Sequence, residues 1–177
     1  DLLVALRTVR DPRDDEALYG FLRSPFVAVR DETLLELAWQ GSGPRWDVLG
    51  GAATSEPGRL ARGVALIEEH AALRDRVPVH ELLERLLEKS GYLGHLALQG
   101  EAGSQAIANV RKFLRLARRH EGISVGYFLR IVHEIRARGD REGDERLYGQ
   151  QDDVMTLTTV HSAKGLEFDV VFLPGWD

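Results

Sequence analysis

The residues best suited to chemistry lie near the end of the chain, in a short polar segment between two apolar runs. Within seven positions the segment contains His161, Ser162, Lys164 and Glu167. Gly165 lies among them and permits a tight bend or the close approach of a ligand. The flanking runs, Met155 to Val160 and Asp169 to Leu173, are typical of buried β-strands. The pattern therefore predicts a strand, a polar turn and a strand, an arrangement at which nucleotides bind in α/β domains.

Ten consecutive residues of this segment carry a family resemblance. The segment resembles motif V, T-x-H-x-[AS]-K-G-L-E-[FW], of UvrD/Rep-family superfamily 1A DNA helicases, and the matching residues are Thr159-Val160-His161-Ser162-Ala163-Lys164-Gly165-Leu166-Glu167-Phe168. Thr158 and Asp169 depart from the family, in which Met and Pro are common there, but neither belongs to the motif's contacts. The alternative is an ordinary strand-loop-strand with a solvated Lys and Glu. We favour the helicase interpretation because the pattern specifies many positions.

The resemblance implies a role for each matching residue. Glu167 would accept hydrogen bonds from the ribose of ATP, and Gly165 would help to shape the turn at this ATP site. Thr159 and His161 would lie on the single-stranded DNA side, and Lys164 would contribute to coupling between the nucleotide and the DNA.

Composition limits the class of protein. The 177 residues are enough for one domain, or one domain and part of another. Hydrophobic residues make up 44% and charged residues 29%, as in ordinary globular proteins, and the net charge of −5 excludes a global basic field that would attract nucleic acid. The absence of Cys excludes disulfides and thiolate sites. Without a long apolar run or a signal peptide, a cytoplasmic location is expected.

Helical spacing of apolar residues dominates the chain before the polar segment. The predicted helices are Asp1 to Arg10, Ala17 to Arg23, Glu32 to Trp39, Arg59 to Arg76, Val79 to Lys89, Ser104 to His120 and Val125 to Arg138. Asp1, Asp31 and Ser124 are expected to cap helices. Asp14 and Asp15 could suggest a metal site, but we interpret them as acidic residues at a helix N-terminus.

The segment at 40–58 is rich in Gly and Pro and is predicted to be a loop. Trp46 within it is interpreted as an anchor packed on the core rather than as a platform for a ligand. The histidines show no paired metal-ligand spacing, and no metal site is expected.

Further landmarks extend the resemblance to the start of the chain. The family's D-L-L, D-D, S-P and D-x-T-L landmarks correspond to Asp1-Leu2-Leu3, Asp14-Asp15, Ser24-Pro25 and Asp31-Glu32-Thr33-Leu34. UvrD-like members have Gly-Ile-Gly between S-P and D-x-T-L, in a helix-hairpin-helix element whose backbone amides bind duplex phosphates. This chain has Ala28-Val29-Arg30, and the loss of both glycines disfavours close backbone approach to a phosphate. The chain therefore resembles the AddA/RecB-like nuclease-helicase subgroup more than the UvrD-like members. The A-N-L landmark of AddA-like proteins is similar to Ala108-Asn109-Val110.

The predicted helix from Ser104 to His120 carries a basic face. Its cationic residues are Arg111, Lys112, Arg115, Arg118 and Arg119. Arg111, Arg115 and Arg118 are candidates for phosphate contacts. The alternative is a solvated surface on which Arg stems cover apolar area, and we favour it because the net charge is negative.

The predicted fold is mainly α. A helical 2B-like domain spans 1–148, and a short strand-turn-strand piece of the RecA-like α/β domain 2A, containing motif V, spans 149–177. The chain is expected to be a fragment of a longer ATP-dependent DNA helicase that acts on single-stranded DNA in repair or recombination. The full-length parent would use ATP and Mg, whereas the isolated fragment is expected to hold neither and to have no ATPase activity, because it contains no G-x-x-x-x-G-K-[ST] phosphate loop.

The expected partners are single-stranded or partly duplex DNA and a nuclease or helicase partner subunit, with no membrane. The alternative function is a helical regulatory or subunit-docking module with a vestigial motif V. A parent that continues into a nuclease domain is a third interpretation.

Overall fold

The structure is a computed structural model, and it describes residues 1–40, 43–52, 54–137 and 170–172. The chain divides into two units, residues 1–146 and 147–177. The helices of the first unit are α1 (Leu2–Arg10), α2 (Asp15–Arg23), α3 (Asp31–Ala38), α4 (Arg45–Leu49), α5 (Pro57–Leu73), α6 (Val79–Ser90), α7 (Tyr92–Ala97), α8 (Gly100–Arg119) and α9 (Val125–Ala137). The prediction of a mainly α fold is confirmed.

Seven of these helices lie where the apolar spacing predicts them. The two that were not predicted are short: α4 has five residues and lies inside the predicted loop, and α7 has six residues. Helices of this length contain fewer than two turns, too little to show a hydrophobic period. In addition, α8 begins at Gly100 rather than at Ser104, and Gly100 itself has a φ of +64°.

Helix α1 lies between two hydrophobic clusters. Ala5 belongs to the first cluster, together with Phe21 of α2 and Ile67 of α5. Leu6 and Val9, on another side of α1, belong to the second cluster. That cluster is completed by residues of α6, α8 and α9, namely Val79, Leu82, Leu83, Ala117, Val125, Phe128 and Val132. Helix α1 is therefore buried on two sides, and it packs against α2, α5 and α9.

Several predicted packing roles are confirmed. The inward stripe of α6 is buried, and its residues are Leu82, Leu83, Leu86 and Leu87. On the opposite side of α6, Arg85 forms an ion pair of 2.6 Å with Glu81. Trp46 is partly buried and packs against the first cluster, which makes it the anchor that the sequence predicts.

The predicted helix caps have mixed outcomes. Ser124 accepts a hydrogen bond of 3.2 Å from the amide of Tyr127, which confirms it as the cap of α9. Asp1 occupies the N-cap position of α1, as predicted, but its side chain makes no capping hydrogen bond and accepts one of 2.7 Å from the hydroxyl of Tyr92. The prediction that Asp31 caps α3 is wrong, because the N-cap of that helix is Arg30. Asp31 lies inside the first turn of α3 and forms an ion pair of 2.8 Å with Arg23.

The second unit is described only at residues 170–172. Val170, Val171 and Phe172 have no regular secondary structure and are 70%, 62% and 82% exposed. A β-strand needs a neighbouring strand for its backbone hydrogen bonds, and the described residues contain none. The rest of the predicted strand-turn-strand lies outside the described residues, so that element stays a prediction.

None of the helices in the described ranges combines the length and apolarity needed to cross a lipid bilayer.

Candidate nucleic-acid interface

The predicted motif V residues are not among the described part of the chain. Thr159, His161, Lys164, Gly165 and Glu167 all lie in the range 138–169, which the structure does not describe. Their assignment to ATP and DNA therefore stays a prediction from the sequence.

The predicted basic face lies on α8. Arg111, Arg115 and Arg118 are spaced by four and three residues, which places them along one side of the helix, and all three are exposed. Arg118 forms an ion pair with Glu84 of α6. Arg115 also interacts with another group. This arrangement suits a solvated protein surface, and phosphate contact by these arginines stays a prediction.

The paired aspartates at the start of α2 bind protein groups. Asp14 accepts a hydrogen bond of 3.1 Å from the amide of Ala17 and binds Arg7 with an N–O distance of 2.9 Å. The Asp15 carboxylate accepts a hydrogen bond of 2.8 Å from the amide of Arg45. Within the described ranges no group of three or more His, Asp or Glu side chains is placed to hold a metal ion. The interpretation of the pair as acidic residues at a helix N-terminus is confirmed, since Asp14 caps α2 and Asp15 lies in its first turn.

The turn between α2 and α3 has an unusual backbone. Ala28 has a φ of +59°, and it is the one residue other than glycine with positive φ in the described part of the chain. This left-handed conformation costs an L-residue about 1–2 kcal/mol and is the one that glycine adopts freely. The loss of glycine at this turn has therefore not removed the left-handed conformation.

The amides of this turn are used within the chain. The amide of Ala28 donates to the carbonyl of Ser24 at 2.8 Å, and that of Val29 donates to the carbonyl of Leu22 at 2.9 Å. The amide of Arg30, just before α3, donates to Glu56 Oε2 at 2.9 Å. These are the residues at which the helix-hairpin-helix resemblance would place phosphate-binding amides, and here each amide has an intramolecular acceptor.

Glu56 is the centre of this polar cluster. Its carboxylate also accepts the Thr33 hydroxyl at 3.0 Å and pairs with the Nε atoms of Arg30 at 3.3 Å and Arg59 at 3.0 Å. The side chain is only 11% exposed. The Arg30 amide, assisted by Thr33 and the Arg30 guanidinium, outweighs the effect of desolvation and holds the pKa of Glu56 below its ordinary value. Glu56 is therefore an ionised carboxylate enclosed by donors.

Sequence reasoning did not find this cluster. Glu56 lies in the predicted loop, 26 residues after Arg30, and no local pattern joins them. The one available signal is an acidic residue directly before Pro57, shortly before the predicted helix that begins at Arg59.

Comparison with known proteins identifies the family. Residues 62–177 match the model of the UvrD-like helicase C-terminal domain. The chain is also similar to proteins named as subunits of an ATP-dependent helicase/nuclease: 32% identical over 189 residues in Bacillus cereus (strain G9842), and 30% identical over 198 residues in Bacillus thuringiensis (strain Al Hakam) and Bacillus mycoides (strain KBAB4). Each match covers 98% of this chain and 15% of the relative's length. Because the family match spans more than half of its residues, this chain belongs to the UvrD-like helicase C-terminal domain family.

Proposed function

We propose that the chain is part of an ATP-dependent helicase and nuclease that moves along single-stranded DNA in repair or recombination. The observation that carries the proposal is the ten-residue segment from Thr159 to Phe168, which resembles helicase motif V and lies inside the range matched by the family. The relatives' printed name, a helicase/nuclease subunit, supports both the motor and a partner subunit. The parent would act on single-stranded or partly duplex DNA.

In this proposal Glu167 holds the ribose of ATP, with Gly165 shaping the turn beside it, whereas Thr159, His161 and Lys164 face the DNA side. A hydrogen bond to a charged acceptor contributes about 1.5–3 kcal/mol, so loss of the Glu167 carboxylate would weaken ATP binding by about tenfold or more. ATP and Mg would bind in the full-length parent, because the phosphate loop that holds the β- and γ-phosphates is not in this sequence. The isolated chain would accordingly not hydrolyse ATP.

The deciding experiment replaces Glu167 in the full-length parent. Glu167→Ala should raise the KM for ATP by about tenfold or more in DNA-stimulated hydrolysis, since the ribose loses a charged acceptor. Glu121→Gln, an exposed residue between α8 and α9, is the matched control and should leave this KM unchanged. An unchanged KM in Glu167→Ala would refute the assignment to ATP.

A second candidate function is a helical regulatory or subunit-docking module. Its support is that the described unit is helical, and that α8 directs Arg118 at a protein carboxylate, Glu84, rather than leaving it without a partner. If the parent's DNA-stimulated ATPase does not depend on Glu167, whereas deletion of 1–137 weakens binding of the partner subunit, this alternative replaces the first.

A further inference from the structure

The exposed side of α9 carries an aromatic ring with a cation beside it. Tyr127 is 48% exposed, and the Cζ atom of Arg130, which is also exposed, lies 4.6 Å from the centre of the tyrosine ring. The two residues are three positions apart and therefore face the same side of the helix. A cation–π interaction holds the guanidinium group at the ring. Exposed aromatic rings and guanidinium planes are the surfaces on which proteins stack unpaired nucleobases.

A second guanidinium group lies next to this pair. Gly126 has no side chain, and the Nε and Cζ atoms of Arg10, at the end of α1, lie 3.4 and 3.8 Å from the point that a Cβ atom would occupy. Gly126 and Arg130 are four positions apart on α9, so their Cβ positions are neighbours about 5–6 Å apart. Arg10, Tyr127 and Arg130 accordingly form one surface, which we call the α9 patch.

The positive charge of the α9 patch has little compensation within the described part of the chain. The guanidinium group of Arg10 makes no hydrogen bond or ion pair there. Asp14, which interacts with Arg10 electrostatically, already accepts hydrogen bonds from other groups. The first turn of α9 contains no acidic residue, and the N-terminus of a helix is itself positive. The one acidic residue of α9 is Glu134, a turn beyond Arg130. The patch therefore suits a ligand that combines a negative charge with a flat ring.

We propose that the α9 patch binds single-stranded nucleic acid, with an unpaired base stacked on the Tyr127–Arg130 pair and an adjacent phosphate bound by Arg10. The exposed ring favours this ligand over an acidic peptide, because a carboxylate needs the cations but not the ring. The inference rests on the proposed function, since it adds a contact to the single strand along which the motor would move. It requires neither ATP nor the motif V residues.

The test measures the affinity of this chain for two fluorescein-labelled DNA strands of equal length and charge, by fluorescence anisotropy without ATP. One strand is oligothymidine, and the other has abasic sites in place of its bases. Loss of one stacked base weakens binding by about fivefold or more, so Tyr127→Ala should bind oligothymidine less tightly by this factor. It should bind the abasic strand as wild type does. Tyr127→Phe keeps the ring and should bind both strands as wild type does.

The phosphate contact has a different signature. Arg10→Ala should weaken the binding of both strands, because a phosphate contact does not depend on the base. Each such contact to a single strand contributes about 0.7 to the slope of log affinity against log salt concentration, so the slope should become shallower by about this amount. Arg136→Ala removes the same charge from an exposed position at the other end of α9 and should change neither the affinity nor the slope.

Three results would overturn the proposal, each with circular dichroism establishing that the variant is folded. Equal losses of affinity for the two strands in Tyr127→Ala would show a general anion surface that an acidic peptide could also occupy. An effect of Arg136→Ala as large as that of Arg10→Ala would show that binding is not located at the patch. A wild-type chain that binds neither strand at low salt would have no such site.

The outcome is separate from the test of the proposed function. Strand binding is measured without ATP, so its failure leaves the KM comparison for Glu167→Ala in the parent unaffected. Conversely, an unchanged KM in Glu167→Ala together with a base-dependent loss in Tyr127→Ala would refute the ATP assignment and support the α9 patch.

Discussion

A Cβ atom placed on Gly103 of α8 would lie 1.8 Å from the carbonyl oxygen of Leu96 in α7. Real Cβ atoms do not approach a backbone atom so closely, and backbone cannot move aside as a flexible side chain can. The lack of a side chain at Gly103 is therefore what lets the start of α8 pack directly on the end of α7.

Gly103→Ala should destabilise the chain by about 3 kcal/mol or more, the range in which overpacking and backbone displacement combine. Chemical denaturation followed by circular dichroism measures the change. The matched control is Gly94→Ala in α7, where an added Cβ meets nothing within 4 Å, and the higher helix propensity of Ala should raise stability by up to about 1 kcal/mol. Equal effects of the two substitutions would show that α7 and α8 are not packed in this way.

Asp14 combines two interactions that substitution can separate. Its carboxylate caps α2 by accepting a hydrogen bond from the amide of Ala17, and it also accepts hydrogen bonds from two guanidinium nitrogens of Arg7. Asn is as good a cap as Asp, so Asp14→Asn loses mainly the ion pair, which at a partly exposed site contributes up to about 1 kcal/mol. Asp14→Ala also loses the cap, which adds about 1 kcal/mol. The free energies of unfolding should therefore fall in the order wild type, Asp14→Asn, Asp14→Ala; similar losses in both variants would contradict the capping role.

The pH dependence of the Asp14 contribution follows from its pKa. Burial raises the pKa, but the Ala17 amide and Arg7 outweigh burial and lower it below the ordinary value of 3.8. The folded state therefore binds its proton less readily than the unfolded state. The contribution is complete above the unfolded pKa and is lost as the pH falls through the folded one. The difference in stability between wild type and Asp14→Ala should accordingly shrink in acid.

Local patterns predicted the long helices well because their apolar faces repeat over several turns. Helix α6 shows this: the stripe that includes Leu82 and Leu86 and the Glu81–Arg85 pair follow from spacing alone. The short helix α7 was not predicted from its sequence, because it has only six residues and one of them is Gly94, so no apolar period is visible. Contacts between distant residues were also beyond a local pattern. The Asp1 carboxylate, for example, accepts a hydrogen bond from the hydroxyl of Tyr92, which is 91 positions away in the sequence.

The same distinction applies to the candidate sites. Motif V was recognised because ten adjacent residues carry it, from Thr159 to Phe168. The Glu56 cluster was missed because its donors come from the turn before α3, from α3 itself and from α5, and meet only after folding. The backbone of the turn was not predicted either, since Ala28 adopts a left-handed conformation that its residue type does not favour.

His70 should make stability depend on pH near neutrality. The ring is fully buried in α5, where Nδ1 contacts the carbonyl of Leu66 at 2.7 Å and Nε2 has no partner. Burial lowers its pKa, opposed by the Leu66 carbonyl and Glu69 and aided by Lys89 and Arg85. The unfolded state therefore binds a proton first as the pH falls. Stability should be unaffected by this group well above about pH 6.5 and should decrease below it by up to about 1.4 kcal/mol per pH unit.

His70→Phe removes the titrating ring while keeping a buried aromatic side chain. Denaturant midpoints measured between neutral and mildly acidic pH should fall more steeply for wild type than for this variant. His133→Phe, at an exposed position on α9, should follow the wild-type profile. Parallel profiles for wild type and His70→Phe would show that the folded chain does not exclude the protonated imidazole.

Ala28→Gly tests the left-handed turn that precedes the Glu56 cluster. At a φ of +59°, glycine relieves about 1–2 kcal/mol of strain, while the greater freedom of the unfolded chain opposes this by about 0.4–1 kcal/mol. The substitution should therefore leave the free energy of unfolding unchanged or raise it by up to about 1 kcal/mol. Ala65→Gly, at an exposed position within α5, has no strain to relieve and should lower it by about 1 kcal/mol. If Ala28→Gly costs as much as Ala65→Gly in urea denaturation, residue 28 does not adopt the left-handed conformation in solution, and the Arg30 amide would not be directed at Glu56 by this turn.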